Sequence, residues 1–157
     1  MDNQLKQIFT RRLSQCNQSG LILITYEIFF AYADDAKKAI EMQDREGLRE
    51  SIRKAQRTID ELINSLDFSY ELSKTLYPIY TYCKRELSKV LYEFKTERLK
   101  DTRKIMEKLY NAFEEAAKQD MSAPLMQNTQ KIYAGMTYGR NNLTESFLDN
   151  THRGFLV

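Results

Sequence analysis

The residues of this chain that could do chemistry are few, and their spacing does not suit it. There is one histidine, His152, near the end of the sequence. A zinc site needs several Cys, His or carboxylate ligands brought together. The two cysteines, Cys16 and Cys83, lie far apart and form no Cys-x-x-Cys pair. A di-iron centre in a helical bundle is built from Glu and Glu-x-x-His motifs, and His152 is the sole imidazole available to one. A Ser/His or Cys/His nucleophile would have to recruit that same side chain. No Gly-x-Gly-x-x-Gly or Walker-type loop is present. The expectation is therefore no metal, no cofactor and no catalysis. Cys83 reads as a small core residue and Cys16 as a bystander.

Charge and hydropathy narrow the remaining classes. The net charge of +2 gives no electrostatic case for nucleic acid or an anionic membrane. Tyr80 and Tyr82 beside Lys84 and Arg85 could stack on bases, but their helical phase favours core and rim packing. The densest apolar stretch, residues 21–33, is broken by Thr25 and Glu27. It is also shorter than the roughly 20 residues a membrane span needs. The first 18 residues are polar and lack an apolar signal core. A cytoplasmic protein with no membrane insertion is expected, so the sequon Asn142-Leu143-Thr144 is a chance match.

Chemistry being absent, the apolar pattern carries the information. Hydrophobic residues make up 42%, enough to fold, and 157 residues suit one domain. With Gly at 5 and Pro at 2, turn-rich β architectures are disfavoured. Apolar residues recur instead at steps of three and four. A short helix over 3–14, capped by Asp2, places Leu5, Ile8, Phe9 and Leu13 on one face. A second, over 19–43, carries Leu21, Ile24, Ile28, Tyr32, Ala36 and Ile40, widened by Ile22, Phe29 and Ala33. So broad a stripe predicts contact from more than one side. Asp44 caps a third helix over 45–65, with Leu48, Ile52, Ala55, Ile59, Leu62 and Leu66 in register. A fourth, over 70–92, follows Leu72, Leu76, Ile79, Cys83, Leu87 and Val90, with a kink or restart expected at Pro78. A fifth, over 97–119, follows Leu99, Thr102, Met106, Leu109, Phe113 and Ala116.

Four helices near 20 residues joined by short loops predict an all-α, antiparallel up-down four-helix bundle. Its expected organisation is an N-terminal segment with a short helix (1–18), the bundle (19–120) and a C-terminal tail (121–157). Ile52, Ile59, Leu62, Leu76, Leu87, Leu109 and Phe113 should be mostly buried. Ten tyrosines and no tryptophan are unusual for such a bundle. They fit either half-buried boundary positions or a partner groove.

Three stretches resemble the FliS family of flagellar secretion chaperones, which bind flagellin. Residues 21–27 (LILITYE) are similar to the family's apolar run ending in Leu-Tyr-Asp/Glu. Residues 53–62 (RKAQRTIDEL) with 64–67 (NSLD) resemble its Lys-Ala-x-x-Ile-Ile-x-x-Leu helix. Residues 71–76 (ELSKTL) and 79–87 (IYTYCKREL) resemble its Leu-Tyr-x-Tyr-x-x-x-x-Leu helix. Order and spacing agree across about residues 15–117. Ile28 stands where the family usually has Gly, Pro78 interrupts the fourth helix, and Phe9 replaces the usual N-terminal tyrosine. The tail, with 133–140 (YAGMTYGR) and 152–155 (HRGF), resembles tails of clostridial members.

The resemblance implies a cytoplasmic chaperone that covers flagellin's amphipathic C-terminal segment, prevents premature polymerisation and aids delivery to the flagellar export gate. The alternative is a helical adaptor with a different amphipathic partner. Within the matching motifs, Ile24, Ile28, Ile59, Ile63, Tyr80 and Cys83 are the expected partner-binding residues. Leu5, Ile8, Phe9 and Leu13 are expected to cap part of the groove and to be displaced by cargo. In the tail, residues 132–143 are expected to dock on the bundle, because so many apolar residues on a tether find the nearest apolar surface.

Overall fold

A computed structural model describes residues 1–126. The expectations for the tail, including docking of residues 132–143 and the place of His152, lie outside the described residues. Five helices form: α1 (Asn3–Gln15), α2 (Gln18–Glu41), α3 (Arg45–Asn64), α4 (Glu71–Glu93) and α5 (Glu97–Ala117). All five fall in one unit, Met1–Leu125, and there is no strand among the described residues.

The helix starts are chemical. The Asp2 carboxylate accepts from the Leu5 amide at 2.7 Å. Asn17 accepts from Gly20 at 2.9 Å and Asp44 from Gly47 at 2.9 Å. Each cap satisfies one of the orphan amides of a first helical turn. The link over residues 42–44 is kept tight by Gln43, whose φ of 59° is left-handed and therefore cannot continue α2.

Pro78 does not restart the helix: α4 is one segment with Pro78 inside. The carbonyl it leaves without an amide partner is that of Lys74. Both Lys74 and Pro78 lie on the exposed side, where water can take the place of the lost bond.

α2 packs against α3, α3 against α4, α4 against α5, and α5 back against α2; α1 contacts α2 alone. A continuous core fills the ring, including Phe29, Leu48, Ile52, Ile59, Leu87, Val90 and Met106 at 0–1% exposure. Ile52, Ile59, Leu62, Leu76 and Leu87 are buried as the periodicity predicts. Leu109 and Phe113 are only half-buried. Phe113 packs from the rim against the fully buried Tyr26 ring, their centroids 5.8 Å apart at a tilt of 39°.

Polar ties close the seams. Gln56 donates to the Lys84 carbonyl at 3.0 Å and to Ser88 Oγ at 2.8 Å, joining α3 to α4. Glu86, largely buried on α4, takes Lys89 at 2.7 Å and Arg98 of α5 at 2.6 Å. Those two cations hold its carboxyl below the usual range. Thr102 Oγ1 is the one buried side-chain polar atom without a partner among the described residues.

Truncating Ile52 to Ala should cost about 2–5 kcal/mol in urea denaturation, since it removes fully buried methyl groups. Tyr92→Ala, on a residue 87% exposed, should stay within about 0.5 kcal/mol. Thr102→Val should be stabilising by about 1 kcal/mol, because it removes an unsatisfied buried hydroxyl at nearly constant shape.

Candidate partner-binding site

The surface feature of most interest lies along α2, where α1 is laid against it. The 13 residues of α1 are too few to hold a helix alone in water, so its order depends on the contact. Phe9 is buried at 6% exposure and Leu5 and Leu13 are half-buried, whereas Ile8 is 52% exposed. Ile8 is therefore not part of the covering face. Steps of four from Leu5 through Phe9 to Leu13 set that face, and Ile8 falls about 100° away from Phe9.

Charge fixes both ends of α1. The Met1 amino group pairs with Asp35 of α2. The Arg12 guanidinium makes a two-point contact with Glu27, its Nη2 donating to Oε1 at 2.9 Å and its Nη1 to Oε2. That contact raises the Arg12 pKa further. The Tyr110 hydroxyl of α5 donates to Glu27 Oε1 at 3.2 Å. Glu27 thus joins α1, α2 and α5.

Magnitudes decide which contact matters most. Burying a Phe side chain is worth about 1.5–3 kcal/mol, and an ion pair exposed to this degree about 0–1 kcal/mol. Phe9 is the main anchor. It also stands outside the continuous core cluster, so α1 can leave without opening the bundle.

A groove of about 440 Å³ runs between α2 and α3 beside the C-terminal half of α1. Leu13 forms one wall; Leu21, Ile22, Thr25 and Ile28 line it from α2, and Thr58, Glu61 and Leu62 from α3. A second opening between the same two helices lies at the other end of α1, lined by Met1, Tyr32, Asp35 and Lys54. A third furrow, between α3 and α4, is crossed by polar ties: Gln56 to Ser88 as above, and the Lys84 ammonium donating to the Asp60 carboxylate.

The six expected partner-binding residues are not gathered at one surface. Ile28 lines the α2–α3 groove and Ile63 the α3–α4 furrow. Ile24, Ile59, Tyr80 and Cys83 are inside, at 0–3% exposure. Their burial has structural causes. The Tyr80 hydroxyl meets the Tyr26 hydroxyl at 2.6 Å in the interior, and burial pushes both tyrosines up. Burial likewise pushes the Cys83 thiol up to about 11, leaving an inert packing residue. Leu21, Ile22, Thr25 and Glu27 fall within the 21–27 motif but were not among the expected partner-binding residues, although the unusual breadth of the α2 stripe pointed to that helix.

The joint between α1 and α2 is clasped from the far end of the described chain. The Leu125 amide donates to the Cys16 carbonyl at 2.9 Å, and Asn17 Nδ2 to the Ser122 carbonyl at 3.2 Å. Asp120 accepts from Ser122 and from Ser19. At the joint itself Gly20 is required, because a Cβ there would meet Cys16 Cβ at 2.9 Å.

A family profile described as flagellar protein FliS matches residues 1–120. The chain belongs to the FliS family. FliS proteins are flagellar export chaperones rather than enzymes, so the groove is read as a surface for a protein partner. A search of curated proteins finds no match. No helix among the described residues is long and apolar enough to cross a membrane, and no Cys, His, Asp and Glu cluster among them could hold a metal ion.

Phe9→Ala should raise amide exchange throughout α1, lowering its opening free energy by about 1.5–3 kcal/mol, with a much smaller shift in the global urea midpoint. The clasp should be acid-sensitive. Hydrogen bonds, from Ser122 first and Ser19 second, hold Asp120 down at about 2. A depressed folded pKa stabilises above the unfolded value, near 3.9, and that contribution fades as pH falls towards about 2. Exchange at residues 17–21 should therefore rise between about pH 4 and 2 in the wild type, relative to an Asp120→Asn variant that lacks this transition.

Proposed function

We propose that this chain is a cytoplasmic export chaperone that binds the C-terminal segment of flagellin. The carrying observation is an apolar α2–α3 groove beside an amphipathic helix, α1, that packs on α2, in a chain the FliS profile matches over residues 1–120. A disordered amphipathic segment folds as a helix when it lays its apolar face into such a groove. While bound, it cannot pair with other flagellins, and the pair is delivered to the export gate. The bundle is taken in up-down antiparallel order, as helices near 30 Å long with links over 42–44, 65–70 and 94–96 favour.

Ile28 touches cargo together with Leu21 and Ile22. Ile63 belongs to a separate furrow, and Ile24, Ile59, Tyr80 and Cys83 shape the walls from within. α1 is the displaceable cap, held through Leu5, Phe9 and Leu13. A cap that must open reduces apparent affinity by the open fraction.

Isothermal titration with flagellin from the same organism, with and without its C-terminal segment, tests the proposal. Wild-type chain should bind the intact subunit only. Ile28→Glu should weaken binding at least tenfold, roughly the cost of placing a charge against an apolar partner, with an unchanged helical circular dichroism spectrum. Phe9→Ala should speed association. Binding that survives loss of the flagellin C-terminus would overturn the proposal and favour an adaptor for a different amphipathic partner.

A further inference from the structure

We infer that Glu27 selects for a basic side chain in the incoming helix, with Arg12 holding that place in the free protein. The inference rests on the displacement of α1 proposed above.

Glu27 lies beneath α1 on the side of α2 that meets α5, outside the lining of the α2–α3 groove, and its side chain keeps 24% exposure. Its carboxylate has three donors: two from Arg12 and one from Tyr110. When α1 leaves, Arg12 leaves with it, and the neutral Tyr110 hydroxyl is what remains. Arg103, the α5 cation packed over Phe30 at 5.2 Å, is already held by Asp34 at 2.6 Å and Glu107 at 2.9 Å. An apolar helix settling on this face would then cover a carboxylate without a cation, which is costly. A helix carrying Arg or Lys at the right height would restore the pair. α1 supplies the template. Apolar residues at steps of four (Leu5, Phe9, Leu13) face α2, with the basic residue, Arg12, one position before the last of them. The partner is therefore an amphipathic helix with apolar residues every fourth position and a basic residue directly preceding the third.

Two single substitutions in the full chain separate selection from latching. Arg12→Gln and Glu27→Gln each break the same pair, so both should raise α1 amide exchange alike. Arg12→Gln should tighten binding of flagellin from the same organism by about two- to fivefold, the range an exposed ion pair supports. Glu27→Gln frees α1 equally but also loses the cargo's cation, so the two effects offset and affinity should stay within about twofold of wild type. Equal tightening by both would overturn the inference, leaving Glu27 as a latch alone. An independent arm uses the Phe9→Ala chain and a synthetic peptide of residues 1–15, with Arg12 or with Gln in its place. The Arg12 peptide should bind about two- to fivefold more tightly, and Glu27→Gln in the chain should abolish the difference. Equal binding of the two peptides would also overturn the inference. Failure of the wild-type chain to bind flagellin would overturn the export proposal, while the peptide arm still decides the role of Glu27.

Discussion

The constraint on which the rest of the structure depends is the width of the apolar surface of α2. No single neighbour can cover it. α3 takes one side, α5 another, and α1 lies on what is left. Buried residues on α2 run from Ile24 through Tyr26, Phe29, Ala33 and Ala36 to Ile40, around more of the helix than one seam requires. Small residues at 33, 36 and 39 permit close approach along the second half. In the first half the larger Leu21, Ile22 and Ile28 project into a groove. The same surplus of apolar surface explains the fold and provides the site.

Stability is unevenly distributed as a result. The four-helix ring has a continuous core and seams tied by Gln56, Glu86 and Arg98. α1 has one buried aromatic, a pair of end charges and a joint clasped by residues 120–125. Elements held by so little open locally long before the whole unfolds. Opening α1 alone therefore costs a modest free energy and leaves the core of the four-helix ring in place.

Much of this fold is legible in the sequence because helical periodicity and capping residues are local signals. Asp2 and Asp44 mark helix starts, and the Ile52, Ile59, Leu62 series marks a core stripe. The site is less legible. Ile24, Ile59, Tyr80 and Cys83 lie in motifs shared with a chaperone family, but a motif can persist because it packs. Periodicity places them on the apolar face and says nothing of whether another helix already covers it. Leu109 and Phe113 illustrate the converse, being in register with the core yet only half-buried at its rim, where Phe113 packs on the buried Tyr26. Ile8 and Phe9 are adjacent and both apolar; only docking distinguishes them.

Glu27 interrupts the apolar run of α2 and ends the 21–27 stretch that resembles the family's Leu-Tyr-Asp/Glu signature, yet it was not among the expected partner-binding residues. In the fold it is the one charge that α1, α2 and α5 share. An acidic group embedded in an apolar contact surface adds little affinity, because desolvation offsets most of the attraction it gains. It penalises every partner that does not bring a matching cation, and so adds discrimination. Apolar grooves bind amphipathic helices with little regard to sequence. A chaperone whose groove were apolar throughout would hold many segments weakly alike. A carboxylate beneath α1 therefore favours, for this face, a helix that brings a cation over one that does not.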